Sequence, residues 1–325
     1  MNKKPLGYAA LFLAVALLPL MGVYPIFVMK VMCYALCACA FNLLIGFTGL
    51  LSFGHAAFLG TAAYAAGHAL KVWGFPPLAG LLFGTVMAGV VGLIFGLLAI
   101  RRSGIYFSMI TLALAQMLFF YFLQTPFTGG EDGLQSVPRG HLLGIDLSND
   151  TTLFYLVLLI FAFAFWLIYR TVHSPFGQVL TSIRENEARA TSLGYDTDRF
   201  KLLAFVLSAA LAGLAGATKT MVLGFATLTD ALWTTSGMVI LMTLVGGMGT
   251  MVGPIIGALV IIALENKIGD LGQWLAGVTG IQWFGGLGES VSLVTGLIFI
   301  VCVLAFRRGI VGEAGALWER VRKQP

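Results

Sequence analysis

The chain has 325 residues, of which 59% are hydrophobic and only 10% charged, and its mean hydropathy is +0.94. A water-soluble domain covers its surface with about a quarter charged residues, so this composition excludes a soluble domain and implies an integral membrane protein. The formal charge of +5 is no nucleic-acid signature; its meaning lies in where the basic residues fall.

A transmembrane helix needs about 20 apolar residues. That length predicts spans at 6–24, 26–47, 54–72, 77–100, 104–124, 151–169, 200–222 and 290–306. The first follows Lys3 and Lys4 as a signal peptide would. No small-residue cleavage site precedes a polar domain, so it reads as a retained helix. The run 232–266 is too long for one crossing and is interrupted by Gly246, Gly247, Gly249, Gly253 and Pro254. Lys and Arg collect on cytoplasmic loops. Placing the N-terminus, 101–103, 170–201 and the C-terminal tail on one side puts 14 of the 19 basic residues there. Both termini are then cytoplasmic and the number of crossings is even. Dividing 232–266 into 232–249 and 251–266 gives about ten transmembrane helices, with a re-entrant pair as the competing arrangement. The expected fold is an all-α polytopic membrane protein forming one domain over 1–325. It has short or broken Gly-rich helices, a cytoplasmic helix in 170–199 and a cytoplasmic tail at 307–325. Cys33, Cys37, Cys39 and Cys302 sit in apolar runs and read as packing residues.

The loop 170–199 is polar where the rest is not. Ser174 and Pro175 form a helix start, and Gly194 a stop. Between them Phe176, Val179, Leu180, Ile183, Ala190 and Leu193 make one apolar stripe at 3–4 residue spacing. Glu185 and Arg189 are placed to pair across a turn. Such a helix either lies at the lipid interface or docks a protein. Over 184–201 positive and negative charges balance at four each, which favours a protein partner over anionic lipid.

Polar groups inside the membrane tend to line cavities. The first cluster is Asn42, Thr48, Ser52 and His55 around Gly46, Gly49 and Gly54, read equally well as a passage or as close packing. Tyr64, Ser108, Thr111 and Gln116 are weaker candidates that suit interhelical hydrogen bonds. Gly249, Gly253 and Gly257, four apart, read as a contact face. Glu131 and Asp132 in TGGEDGLQ mark either a tight outer turn or an ion-pairing patch for a soluble receptor. An energy source is missing: GLAGATKT (213–220) has Thr218 where a P-loop needs glycine. A secondary carrier would need intramembrane acids, yet 6–124 contains no Asp or Glu and one histidine makes a poor proton relay. No nucleophile–base set or metal cluster indicates an enzyme.

Four blocks carry a resemblance: NLLIGFTGLLSFGHAAFLGTAAY (42–64), TGGEDGL (128–134), IRENEARATSLGYDTDRFKLLAFVLSAALAGLAGA (183–217) and GGMGTMVGPIIGA (246–258). In these residues and their order the chain resembles branched-chain amino acid ABC transporter permeases of the LivM type. The resemblance implies a non-enzymatic permease subunit of a bacterial inner-membrane importer. The polar loop is then the coupling helix, with Leu180, Ile183, Arg184, Glu185, Glu187, Arg189 and Gly194 meeting an ATPase and the Leu180–Ile183 stripe filling its groove. Glu187, Ala188, Arg189 and Gly194 miss the general E-A-A-x-x-x-G spacing by one residue. Implied partners are two cytoplasmic ATPases carrying ATP and Mg, a LivH-type sister permease, and a periplasmic binding protein near Glu131 and Asp132. Cofactor, metal and nucleic acid are not expected on this chain. The passage would be lined by Asn42, Thr48, Ser52, His55 and Tyr64. The solute would be an aliphatic amino acid, although the same scaffold serves urea, short amides and other amino acids.

Overall fold

A computed structural model of the protein describes residues 4–142, 144–279, 296–297, 300 and 309–313. Its helices are α1 (Lys4–Leu17), α2 (Pro25–Phe47), α3 (His55–Lys71), α4 (Pro77–Ala99), α5 (Ile105–Gln124), α6 (Asp150–Val172), α7 (Pro175–Glu185), α8 (Glu187–Ser192), α9 (Thr197–Leu223), α10 (Trp233–Gly246) and α11 (Gly253–Thr279). They follow the apolar runs because a helix satisfies its own backbone, the condition for crossing hydrocarbon. Among the described residues α2, α4, α5, α6 and α9 are long and apolar enough to span a membrane. The strands described are two residues each, β1 (His141–Leu142) paired antiparallel with β2 (Ile145–Asp146) in the loop before α6. The architecture is that of an all-α polytopic membrane protein.

The centre is α9, packed on α2, α3 and α4. A seam of small residues lets these backbones close. A side chain at Gly92 would strike Ala209, one at Gly213 would strike Ala88, and one at Gly216 the Leu59 carbonyl. Lipid supplies no hydrophobic drive between helices, so close van der Waals contact of this kind holds them together. α2 also carries α6, whose Phe161 and Phe165 meet Phe12 of α1 at 5.6 and 5.5 Å. The hairpin α10–α11 packs on α2 as well. At the edge, α5 leaves Tyr106, Met109, Met117 and Phe120 exposed. Cys33, Cys37 and Cys39 are buried packing residues.

Three departures from the expected spans have local causes. The first span ends early: α1 stops at Leu17 and a 3-10 turn, Leu18–Met21, takes over at Pro19, which lacks the N–H that would continue the α-helix. The run 232–266 does divide, but Gly249 belongs to the turn and not to a contact face, with φ +74 beside Gly247 at +121. Gly253 and Gly257 do pack, against α10 at Gly246 and at the Met242 carbonyl. The second half continues to Thr279, so 267–279, which the expected spans 251–266 and 290–306 left as a connection, is helical. The proline of α11 lies at its second residue, where proline is tolerated, and none follows to stop it. The expected span 290–306 and tail 307–325, with Cys302, lie outside the described residues except at 296–297, 300 and 309–313.

The connections gather at two ends. Arg101 shares a surface pocket with Asp198 and Arg199 at one end. At the other, Lys71 Nζ donates to Gln135 O (2.8 Å) and Val137 N to Gly224 O (2.8 Å), joining 125–150 to 224–232.

Candidate functional site

Two irregular stretches enter the bundle from opposite ends. Residues 48–54 lead into α3 from the α7 end, and residues 224–232 lead into α10 from the other. Both helices are short, about 25 and about 21 Å at 1.5 Å per residue. Their starts meet where Ala56 N–H donates to Ser236 Oγ (2.9 Å). Irregular backbone at membrane depth persists only when protein satisfies it, and here it is satisfied. Phe53 N donates to Thr111 Oγ1 (3.2 Å), Ser108 Oγ to Leu51 O (2.7 Å) and Gly54 N to Ser52 Oγ (3.1 Å). On the opposite stretch Leu134 and Ala226 exchange backbone bonds of 2.9 and 2.8 Å, and Thr235 Oγ1 donates to Thr229 O (2.7 Å).

The expected passage residues brace these breaks. Asn42 Nδ2 donates to Thr250 O (2.8 Å) while its Oδ1 accepts from Gly249 N (2.9 Å), fastening α2 to the α10–α11 turn. Thr48 Oγ1 donates to Leu43 O (3.3 Å). His55 Nε2 lies 2.8 Å from Ser208 Oγ, which donates its own proton to Ala40 O (2.5 Å). One hydroxyl has one proton to give, so Nε2 carries the imidazole N–H of that bond. Phe41, Phe58 and Phe205 enclose the ring edge-on at 4.9, 5.6 and 6.5 Å. Asn42, Thr48, Ser52, His55 and Tyr64 are all buried. In this conformation Asn42, Thr48, Ser52 and His55 hold the helix breaks inside the chain instead of opening onto a passage, while the Tyr64 hydroxyl and His55 Nδ1 are left without a hydrogen bond.

The polar loop differs more. Ser174 Oγ accepts from Gly177 N (3.3 Å) as an N-cap, and Gly194 takes φ +90 as a stop. The helix between them breaks at Asn186 (φ −160°, ψ 98°), whose Oδ1 accepts from Arg189 N (3.0 Å) and caps α8. Asparagine competes for backbone groups in this way and so favours caps over helix interiors. The break removes the turn that Glu185 and Arg189 were expected to share. Leu180 and Ile183 are also not free for a partner: they are 0% and 4% exposed, buried within this chain. Glu187 is drawn inward too, paired with the buried Lys201 and accepting from Thr197 Oγ1 (3.5 Å). What faces outward is Glu185, Arg189, Tyr195 and above all Leu193, which is 70% exposed.

Arg184, though exposed, reaches across to the end of α2. Its guanidinium donates to Gly46 O, and its stem fills the space over Gly49, where an added Cβ would lie 3.1 Å from Arg184 Cγ. Gly49 has φ +79, a conformation that glycine adopts without the Cβ penalty. Arg184 Nη1 also lies beside Gly249. Arg184 and Asn42 therefore tie α7, the end of α2 and the α10–α11 turn into one joint.

At the opposite end Gly129, Gly130 and Gly133 take φ of +78, +61 and +66. A side chain at Gly133 would strike the Ala226 carbonyl, so the glycines of TGGEDG shape a turn that seats on the second irregular stretch. Glu131 and Asp132 are exposed on it.

One feature escaped the sequence. Lys219, which is not among the 14 basic residues placed on the cytoplasmic side, is only 5% exposed and forms an ion pair with Asp230, itself 2% exposed. The legible signal was a lysine inside an apolar helix with an acid eleven residues on, since ionisable groups in a span need a partner. No group of three or more metal-ligating side chains occurs among the described residues.

The chain matches a family model described as branched-chain amino acid transport system / permease component over residues 25–304. The chain belongs to this family. It is 29% identical over 272 residues to the high-affinity branched-chain amino acid transport system permease protein LivM of Escherichia coli strain K12, covering 75% of this chain and 63% of that protein. The LivM protein of Salmonella typhimurium is 27% identical over the same shares. The chain thus spans about 63% of the length of these curated relatives. The ribose import permease protein RbsC of Bacillus subtilis is 31% identical over 189 residues, covering 55% of this chain and 51% of that one. Among solved structures, PsaBC from Streptococcus pneumoniae in complex with Fab covers 85% of this chain and 89% of that chain at 13% identity, with a TM-score of 0.42.

Proposed function

We propose that this chain is the permease subunit of an ATP-binding-cassette importer for branched-chain amino acids. The observation that carries the proposal is the joint at Arg184. A polar helix pair outside the apolar bundle is fastened to the glycine breaks of α2 and of the α10–α11 turn, so movement of α7–α8 moves the broken helices. An ATPase docked on α8 would drive this joint, with ATP and Mg on the ATPase. A LivH-type permease would complete the passage, and a periplasmic binding protein would deliver solute at the turn bearing Glu131 and Asp132. The terminus-bearing basic side faces the cytoplasm. The kinship with LivM proteins favours an aliphatic amino acid over the sugar carried by the ribose permeases.

Reconstitution tests this. Proteoliposomes holding the chain with its co-expressed subunits and receptor should accumulate L-leucine only with ATP. Accumulation of ribose instead would assign the sugar branch of the family. Uptake driven by an ion gradient without ATP would sink the proposal.

A further inference from the structure

The Lys219–Asp230 pair lies where no stability argument requires charges. Lys219 is one turn inside the end of α9, and Asp230 is on the irregular stretch that starts α10. Replacing a buried ion pair by apolar residues of similar volume is often neutral or stabilising, and ionisable groups in a membrane are costly. A mere pin between α9 and residues 224–232 needs no charge. Two further polar atoms share these surroundings. The hydroxyl of Tyr64 is buried without a hydrogen bond within electrostatic reach of Asp230, and that of Thr220, next to Lys219, is equally buried and unbonded. Both belong to the α3–α9 interface, where the Thr220 methyl packs over Gly67, one turn from Tyr64. The Lys219 ammonium also stands 5.5 Å from the Tyr34 ring centroid.

We infer that Lys219 and Asp230, with the hydroxyls of Tyr64 and Thr220, form a binding site for the zwitterionic head of an α-amino acid. The inference rests on the importer reading above and names the residues that would meet its solute. Separating residues 224–232 from α9 strands an ammonium and a carboxylate. A zwitterion carries both counter-charges at once: its carboxylate takes Lys219, its ammonium takes Asp230, and neither charge is left without a partner. A neutral sugar leaves both charges stranded, and a solute with one charge leaves one. The two unbonded hydroxyls supply the donors and acceptors that the internal pair leaves unused.

The test is thermal protection of the detergent-solubilised permease complex by L-leucine, without the receptor. A ligand bound only by the folded state raises the melting temperature, so roughly 2 °C or more is expected at saturating leucine. Isopentylamine and 4-methylpentanoate, each lacking one charge, should give no shift. In the paired variant Lys219→Met/Asp230→Leu the leucine shift should vanish while the complex still assembles. Tyr64→Phe, which removes an atom that makes no hydrogen bond, should leave assembly untouched yet require at least fivefold more leucine; it decides the matter if the paired variant does not fold. The inference is overturned by protection that survives in the paired variant, by a Tyr64→Phe response equal to wild type, by equal protection from either one-charge analogue, or by no protection of the wild type. Leucine import without protection sinks this site alone, whereas absence of amino-acid import sinks the importer reading.

Discussion

The outward face of α8 makes a specific prediction about coupling. Leu193 is 70% exposed, and nothing among the described residues covers most of its side chain. Fully burying such a side chain contributes about 1.5–3 kcal/mol. Covering the exposed 70% in an ATPase groove therefore contributes about 1–2 kcal/mol, and each 1.4 kcal/mol is tenfold in affinity. Leu193→Asp should weaken ATPase association by about 5- to 30-fold, read as co-purification or as a binding isotherm with the purified ATPase. The permease itself should stay folded, because most of the Leu193 surface lies outside the packed chain. Ile183→Asp should behave oppositely. It places a carboxylate at a position only 4% exposed, detaching α7 and lowering the yield of folded permease. Full ATPase recovery with Leu193→Asp would refute a docking role for α8. A well-folded Ile183→Asp permease that has lost only the ATPase would instead return the docking face to the stripe of α7.

Arg184→Ala should leave ATPase association nearly intact while lowering ATP-dependent import at least tenfold; a parallel loss of both would show that Arg184 acts by docking and not by transmission. Ser208→Ala removes the acceptor of His55 Nε2 and leaves a buried N–H unpaired, costing about 1–3 kcal/mol, visible as a lower melting temperature of the solubilised permease. Gly216→Leu forces a side chain into the Leu59 carbonyl, so no folded permease should be recovered; normal recovery would show that the α3–α9 seam is not close-packed.

Much of this protein was legible in its sequence because lipid leaves a chain few choices. Backbone that crosses hydrocarbon must bond to itself, so apolar runs became helices, and Gly46, Gly49, Gly247 and Gly249 marked the places where helices stop. Ser174 and Gly194 likewise bounded the polar loop, because caps are made from neighbouring residues. Tertiary structure alone decided where the polar atoms went. Asn42 reaches Gly249 207 residues away, Arg184 reaches Gly46 138 residues away, and His55 reaches Ser208 153 residues away, and no local pattern encodes such partners. An amphipathic stripe reports that Leu180 and Ile183 are buried but not against what; the bundle, not a partner, covers them. Lys219 reads as a lysine near a helix end until Asp230 folds back beside it, since a charge in the membrane is decided by the group facing it, and that group is brought there by the fold.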